Sequence, residues 1–168
     1  MRKNKGFTLV EILIVVVLLG LIAAIVIPLA ANSTTRAKNS ALACSAQMIR
    51  RYILVYRSQH LEIAPGYPDG DTSQAPTEQA FIDQITKSSK TSGETAAIGT
   101  AGFEYGPYLM RMPTNPFNNK ATIQMLGNGD AFPAAGDNSH GWVYKASTFE
   151  IRPDNSGSDL DGKPYYEY

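Results

Sequence analysis

The chain has 168 residues, enough for one modest globular domain plus an N-terminal segment. Its 15 basic and 15 acidic side chains balance, which excludes the basic footprint of a nucleic-acid-binding protein. A single cysteine, Cys44, excludes an internal disulfide and a multi-cysteine metal cluster.

The first element is apolar. Arg2, Lys3 and Lys5 precede Phe7, and from Phe7 to Ala31 the only polar side chains are Thr8 and Glu11. As a helix these residues reach about 37 Å, enough for the roughly 30 Å of bilayer hydrocarbon. The next charge is Arg36, so the positive-inside rule puts the N-terminus in the cytoplasm and the rest outside. Pro28 removes one helical donor and is expected to kink the helix or loosen its ladder there. Glu11 is the anomaly, because a carboxylate at the centre of a membrane helix costs roughly 2.5–3.5 kcal/mol. A secretory signal cut near Ala30-Ala31 accounts for the basic start and the small residues, but the run is long and holds a charge. A plain membrane anchor accounts for the length and gives Glu11 no purpose.

Gly6-Phe7-Thr8-Leu9-Val10-Glu11, followed by the apolar run to Pro28, closely resembles the N-terminus of type IV pilins and pseudopilins. The resemblance covers about 25 residues. It implies that a prepilin peptidase removes residues 1–6 after Gly6, that Phe7 becomes the methylated N-terminal residue, and that Glu11 is fifth in the mature chain. Removal of the leader leaves 12 basic against 15 acidic groups. Glu11 then lies about one turn into the helix, where the N-terminal dipole favours its charge. In a fibre of packed helices its partner would be the Phe7 amine of a neighbouring copy. Such a buried pair is weak evidence for net stability but penalises a wrong stagger. The resemblance also matches Pro28 to a proline common in the family's helix.

Beyond Ala31 the pattern turns amphipathic. Ala37, Ala41, Leu42, Cys44, Met48, Ile49, Tyr52, Ile53 and Tyr56 recur near steps of three and four, with Arg36, Lys38, Arg50, Arg51 and Arg57 on other faces. One helix is expected to continue to about Ser58 and to end before Pro65-Gly66. Cys44 reads as a small buried hydrophobe on the stripe, and His60 as a surface residue at the helix end. Asp69 and Asp71 lie in a Gly/Pro-rich turn and read as solvated. Pro76 suits a helix first turn, Thr77 to Lys87 a short helix, and Thr86 to Gly102 an exposed loop. Thr122–Leu126, Gly141–Ala146 and Thr148–Ile151 are strand candidates, with a long loop containing His140 after the first. They predict a small antiparallel sheet against the helix stripe.

Tyr105-Gly-Pro-Tyr-Leu109, then Pro113-Thr-Asn-Pro-Phe-Asn118, then Gly141-Trp-Val-Tyr resembles the succession ahead of the sheet in major pseudopilins of type II secretion systems. One cysteine cannot close the C-terminal disulfide loop common in type IV pilins, which leans the same way. Near the end, Asp154, Asn155, Ser158, Asp159 and Asp161 alternate with glycines, a composition that suits a hard cation such as Ca²⁺, though not an EF-hand. The resemblance adds that major pseudopilins carry calcium in this loop; a solvated polar turn has the same composition. No Gly-x-Ser-x-Gly, phosphate loop or His-Glu-x-x-His occurs.

The expected fold is α+β, the pilin fold: a long N-terminal α-helix, half transmembrane and half amphipathic, packed against a small C-terminal antiparallel sheet. Residues 1–6 are the leader, 7–31 the transmembrane and assembly helix, and 32–168 the globular domain outside the cytoplasm. The resemblance implies a structural subunit of a secretion pseudopilus, anchored in the inner membrane and polymerising into a periplasmic fibre that helps export folded proteins. Its partners would be other copies of itself, prepilin peptidase, an inner-membrane assembly platform and minor pseudopilins. The alternative is a type IV pilin forming surface fibres for adhesion, motility or DNA uptake. A tethered binding protein or enzyme finds no site in the sequence to support it. Tyr165, Tyr166 and Tyr168 either cover the sheet or meet a neighbouring subunit.

Overall fold

A computed structural model describes residues 6–168 and, within them, every side chain except those of Pro28, Leu29 and Ala31. The cluster Arg2, Lys3 and Lys5 and nearly all of the expected leader lie outside the described residues. Helix α1 spans Leu9–Gln59 and α2 spans Glu78–Thr86. Five short strands follow: β1 (Ser88–Ser89), β2 (Thr95–Ala96), β3 (Ile123–Leu126), β4 (Trp142–Lys145) and β5 (Glu150–Pro153). The layout is the expected α+β one. The chain divides between Ala37 and Lys38 into two units, which are described separately.

The first unit is the N-terminal stretch of α1. It is apolar on every side, and all its large aliphatic side chains from Ile12 to Ile27 are at least half exposed. A helix hydrophobic all round belongs inside something, a membrane or a bundle. Among the described residues α1 is the helix long and apolar enough to cross a bilayer. Its helical assignment runs through position 28, so Pro28 does not end the element.

The second unit, from Lys38 onward, has a core. Leu42, Ala46, Ile49, Ile53 and Tyr56 of α1 are fully buried, at steps of three and four. Trp142, Tyr144 and Ile151 of the sheet and Phe81 and Ile85 of α2 join the same cluster. Each large side chain so buried contributes roughly 1.5–3 kcal/mol. Thr77 caps α2 by accepting the Ala80 N–H at 3.2 Å, so Pro76 precedes the cap instead of occupying the first turn. Gln84, on the buried side of α2, ties in the preceding turn and the following hairpin. It accepts from Gly66 N at 2.7 Å and donates to the carbonyls of Tyr67 and Gly93.

The main sheet has the order β3-β4-β5. β4 and β5 pair antiparallel, as expected, with Tyr144 opposite Ile151. β3 and β4 pair parallel, with Ile123 opposite Trp142, so the sheet is mixed and not purely antiparallel. Residues 127–141 make this possible, since a parallel pair needs a connection of about a dozen residues or more. β4 is covered on both faces. Trp142 and Tyr144 face the main core, and Val143 packs with Leu126, Tyr166 and Phe132 on the other side.

Three local expectations are corrected. Cys44 is exposed; it stands two residues from both Leu42 and Ala46, which is about half a turn on a helix. The stretch 86–102 is not a free loop, because β1 and β2 form a small antiparallel hairpin with Ser89 fully buried. His60 is buried, at 1% exposure. Its ring stacks on Tyr56 at 3.7 Å, Nδ1 meets the Tyr56 carbonyl at 2.7 Å and Nε2 meets Ser89 Oγ at 2.9 Å. Left-handed backbone at Leu61 and Glu62 turns the chain after the helix, and the β1 hairpin then covers the imidazole.

Burial pushes the His60 pKa down, opposed by the Tyr56 carbonyl. The groups around it are the Tyr56, Tyr105 and Tyr108 rings and the Ser89 hydroxyl, none of them charged. The unfolded chain therefore binds a proton near pH 6.5 that the folded chain refuses, and stability falls as pH drops below that value. The urea midpoint of the full chain in detergent is expected to be lower at pH 5.5 than at pH 7.5. His60→Asn should flatten the profile, and an unchanged slope in that variant would discard the explanation.

Candidate functional site: the head of the helix and the C-terminal loop

The helix head is built by Thr8 and Glu11. Thr8 precedes the first helical residue and Glu11 is the third. Glu11 N donates to Thr8 Oγ1 at 3.2 Å, and Glu11 Oε2 accepts from Thr8 N at 2.7 Å and from Thr8 Oγ1 at 2.9 Å. This is a capping box, in which two backbone donors at the helix start are satisfied reciprocally. The sequence reading missed it, although Thr-x-x-Glu before an apolar run is its signature. The carboxylate is thus placed within the chain before any neighbour is present. Gly6 and Phe7 stand exposed just outside the cap, Phe7 at 82%, so the expected cleavage point is open to an enzyme.

The C-terminal residues are organised by hydrogen bonds. Asp154 is buried at 1% exposure, and its carboxylate accepts from Asp137 N at 2.8 Å, His140 N at 2.7 Å and Ser139 Oγ at 3.1 Å. Asn155 lies beside it, its side-chain oxygen accepting from Asn115 Nδ2 at 2.5 Å. Gly136 approaches so closely that a Cβ there would stand 2.4 Å from Asn155 N. Ser158 bridges to Pro164 through the backbone. Asp159 Oδ1 accepts from Asp161 N and Lys163 N, both at 2.9 Å, and Oδ2 accepts the Tyr168 hydroxyl. That hydroxyl, more than any other contact, holds the Asp159 carboxyl below the usual carboxylate range, and the Tyr168 phenol is pushed up to about 12 by the same bond.

The five residues considered for calcium therefore fall into two networks. Asp154 and Asn155 hold the 136–140 loop, while Asp159 closes the 159–163 turn and takes Tyr168. Among the described residues no group of three or more His, Cys, Asp or Glu side chains comes together to hold an ion.

Two asparagines outside the expected sites hold this region. Asn115, fully buried, donates to the Gly141 carbonyl at 2.9 Å as well as to Asn155. Asn118 donates to the carbonyls of His140 at 2.6 Å and Asp154 at 3.0 Å. They flank Pro116-Phe117, and nothing local in the sequence shows which distant backbone groups they serve. The tyrosines are used within the chain. Tyr165 packs on Phe117 with ring centroids 4.2 Å apart, Tyr166 covers the outer face of β4, and the Tyr168 carbonyl accepts from Arg50 of α1.

An apolar helix head with a capped glutamate, and a separate unit in which a small sheet shares a core with residues 42–56 of α1, make up the α+β layout of the pilin fold. Residues 1–27 match the prokaryotic N-terminal methylation motif. Within that class the chain is similar to type II secretion system core protein G, the major pseudopilin. It is 25% identical to that of Aeromonas hydrophila over 128 residues, 76% of each chain. With the Vibrio cholerae protein it shares 27% over 131 residues, 77% of this chain and 75% of the relative. With the Klebsiella pneumoniae protein it shares 22% over 155 residues, 85% of this chain and 97% of the relative. No solved structure matches significantly.

Proposed function

We propose that the chain is a structural subunit of a type II secretion pseudopilus, polymerising through α1 to help export folded proteins. The observation that carries this reading is Glu11, capped by Thr8 at the head of an all-round apolar helix, within a segment that matches the methylation motif. Similarity to core protein G over three quarters of the chain favours the secretion system over a surface pilus. The role is one of assembly and not of catalysis. Prepilin peptidase would cut after Gly6 and expose the Phe7 amine. The subunit would wait in the inner membrane with its N-terminus in the cytoplasm, then join a periplasmic fibre through an assembly platform and minor pseudopilins. Protein isolated from the native cell is expected to begin at a methylated Phe7 by intact mass and N-terminal sequencing. A retained Met1–Gly6 leader would refute the reading. Export of a folded cargo should stop when the gene is deleted; loss of long surface fibres with normal export would favour the pilus instead.

Calcium in the tail is a separable part of this proposal. Asp159 accepts three hydrogen bonds and keeps lone-pair capacity for an ion. The melting temperature of the full chain in detergent is expected to rise by more than about 2 °C from chelator to millimolar calcium, and Asp159→Ala/Asp161→Ala to abolish the rise. No rise in the parent chain would remove the ion.

A further inference from the structure

Between residues 38 and 59, α1 presents a second stripe besides the buried one. Ala41, Cys44, Met48, Arg51 and Val55 recur at alternating steps of three and four, and all five are exposed. Met48 and Val55 show 40% and 36% of their surface. Gln47 and Tyr52 complete a shallow depression around Cys44, Met48 and Arg51. Alternating steps of three and four are the seam by which a helix packs on a neighbour. Single exposed hydrophobes are ordinary, whereas a contiguous stripe marks an interaction face. Arg51 stands in the seam and has no hydrogen-bond or ion-pair partner among the described residues, unlike Arg50, which binds two carbonyls.

Charge selects the occupant. From 38 to 59 α1 carries Lys38, Arg50, Arg51 and Arg57 and no acidic residue. Residues 60–168 carry fourteen acidic and seven basic residues, a formal −7. The same stripe of a second α1 would set arginine against arginine, and like charges at a contact suppress a pairing. The acidic part of a second copy complements it. Asp69, Asp71, Glu104, Asp161 and Glu167 are exposed there, with no ion-pair partner among the described residues.

We propose that the exposed Ala41–Val55 seam of α1 is a docking face for the acidic surface of a second copy of this chain, with Arg51 meeting its carboxylates. This rests on the fibre reading and names the surface outside the membrane segment that completes it. Cys44, the one cysteine, lies mid-seam and reports on the contact without mutation. The full-length chain is labelled with a water-soluble maleimide in the membrane pool and in sheared fibres. Cys44 is expected to react in the pool and about tenfold less in the fibre, and Arg51→Glu is expected to lower fibre yield about tenfold with leader removal intact. Lysine at one of the five carboxylates should recover part of that yield. Fibres in which Cys44 labels as fast as in the pool, or normal yield from Arg51→Glu, would overturn the face while leaving the fibre reading in place. Absence of fibres from the parent chain would overturn the fibre reading and this face with it.

Discussion

Glu11→Ala or Glu11→Val is expected to abolish fibre assembly while the leader is still removed. Two contributions add. Within the chain, alanine loses the carboxylate that receives Thr8 N and Oγ1, which leaves the Thr8 half of the capping box in place. In the proposed fibre it also leaves the Phe7 amine of a neighbour buried without its partner, at about 3–5 kcal/mol per contact. The second is the larger and is repeated at every subunit, so assembly fails before the membrane-held subunit does. Glu11→Gln separates the two, because glutamine serves a capping box but carries no charge. Sheared-fibre and membrane fractions, each blotted for the cleaved chain, are the measurement. Normal yield from Glu11→Ala would refute the pairing, and normal yield from Glu11→Gln alone would reduce Glu11 to a cap.

Trp142→Ala is expected to destabilise the second unit by about 3–5 kcal/mol, the cost of emptying a large core site. Trp142 is fully buried at the start of the middle strand, and its Nε1 donates to the Pro113 carbonyl at 2.9 Å. Removal leaves that carbonyl without its donor as well as a void. Domains of this kind are stable by only about 5–15 kcal/mol, so the variant should accumulate poorly in the cell. Trp142→Phe keeps most of the packing, loses the indole donor and should sit between the two. Trp142 is the only tryptophan, so unfolding by urea is followed by circular dichroism and not by indole fluorescence. A shift in midpoint for Trp142→Ala no larger than that for Trp142→Phe would show that packing at this site contributes little.

Several errors of the sequence reading share one cause. α1 carries two apolar stripes, and periodicity finds both without ranking them. Leu42, Ala46, Ile49, Ile53 and Tyr56 are buried in the core shared with the sheet and α2, whereas Cys44 and Met48 are exposed. His60 follows the last turn of a helix, which by itself means solvent. It is buried because the chain reverses at Leu61 and Glu62 and the β1 hairpin returns over it. The three strands of the main sheet fall within two residues of the expected runs, but nothing in Ile123–Leu126 states that it runs parallel to β4. The acidic tail has the composition of a cation loop and also of turns, since Asp and Asn side chains bond nearby N–H groups equally well. Asp159 does so at Asp161 and Lys163.

What the sequence determined by itself is local. The apolar run from Ile12, the Thr8–Glu11 cap, the helical period to Gln59 and the Thr77 cap of α2 all follow from interactions within a few residues. So does the N-terminal motif, which is continuous in the chain. Tertiary structure alone decided the rest: which stripe of α1 is core, how β3 pairs, and how Asn115, Asn118, Asp154 and Arg50 find backbone and side-chain groups 14 to 118 residues away. Those contacts depend on which surfaces meet once the chain closes on itself, and no short-range preference of residue type records that.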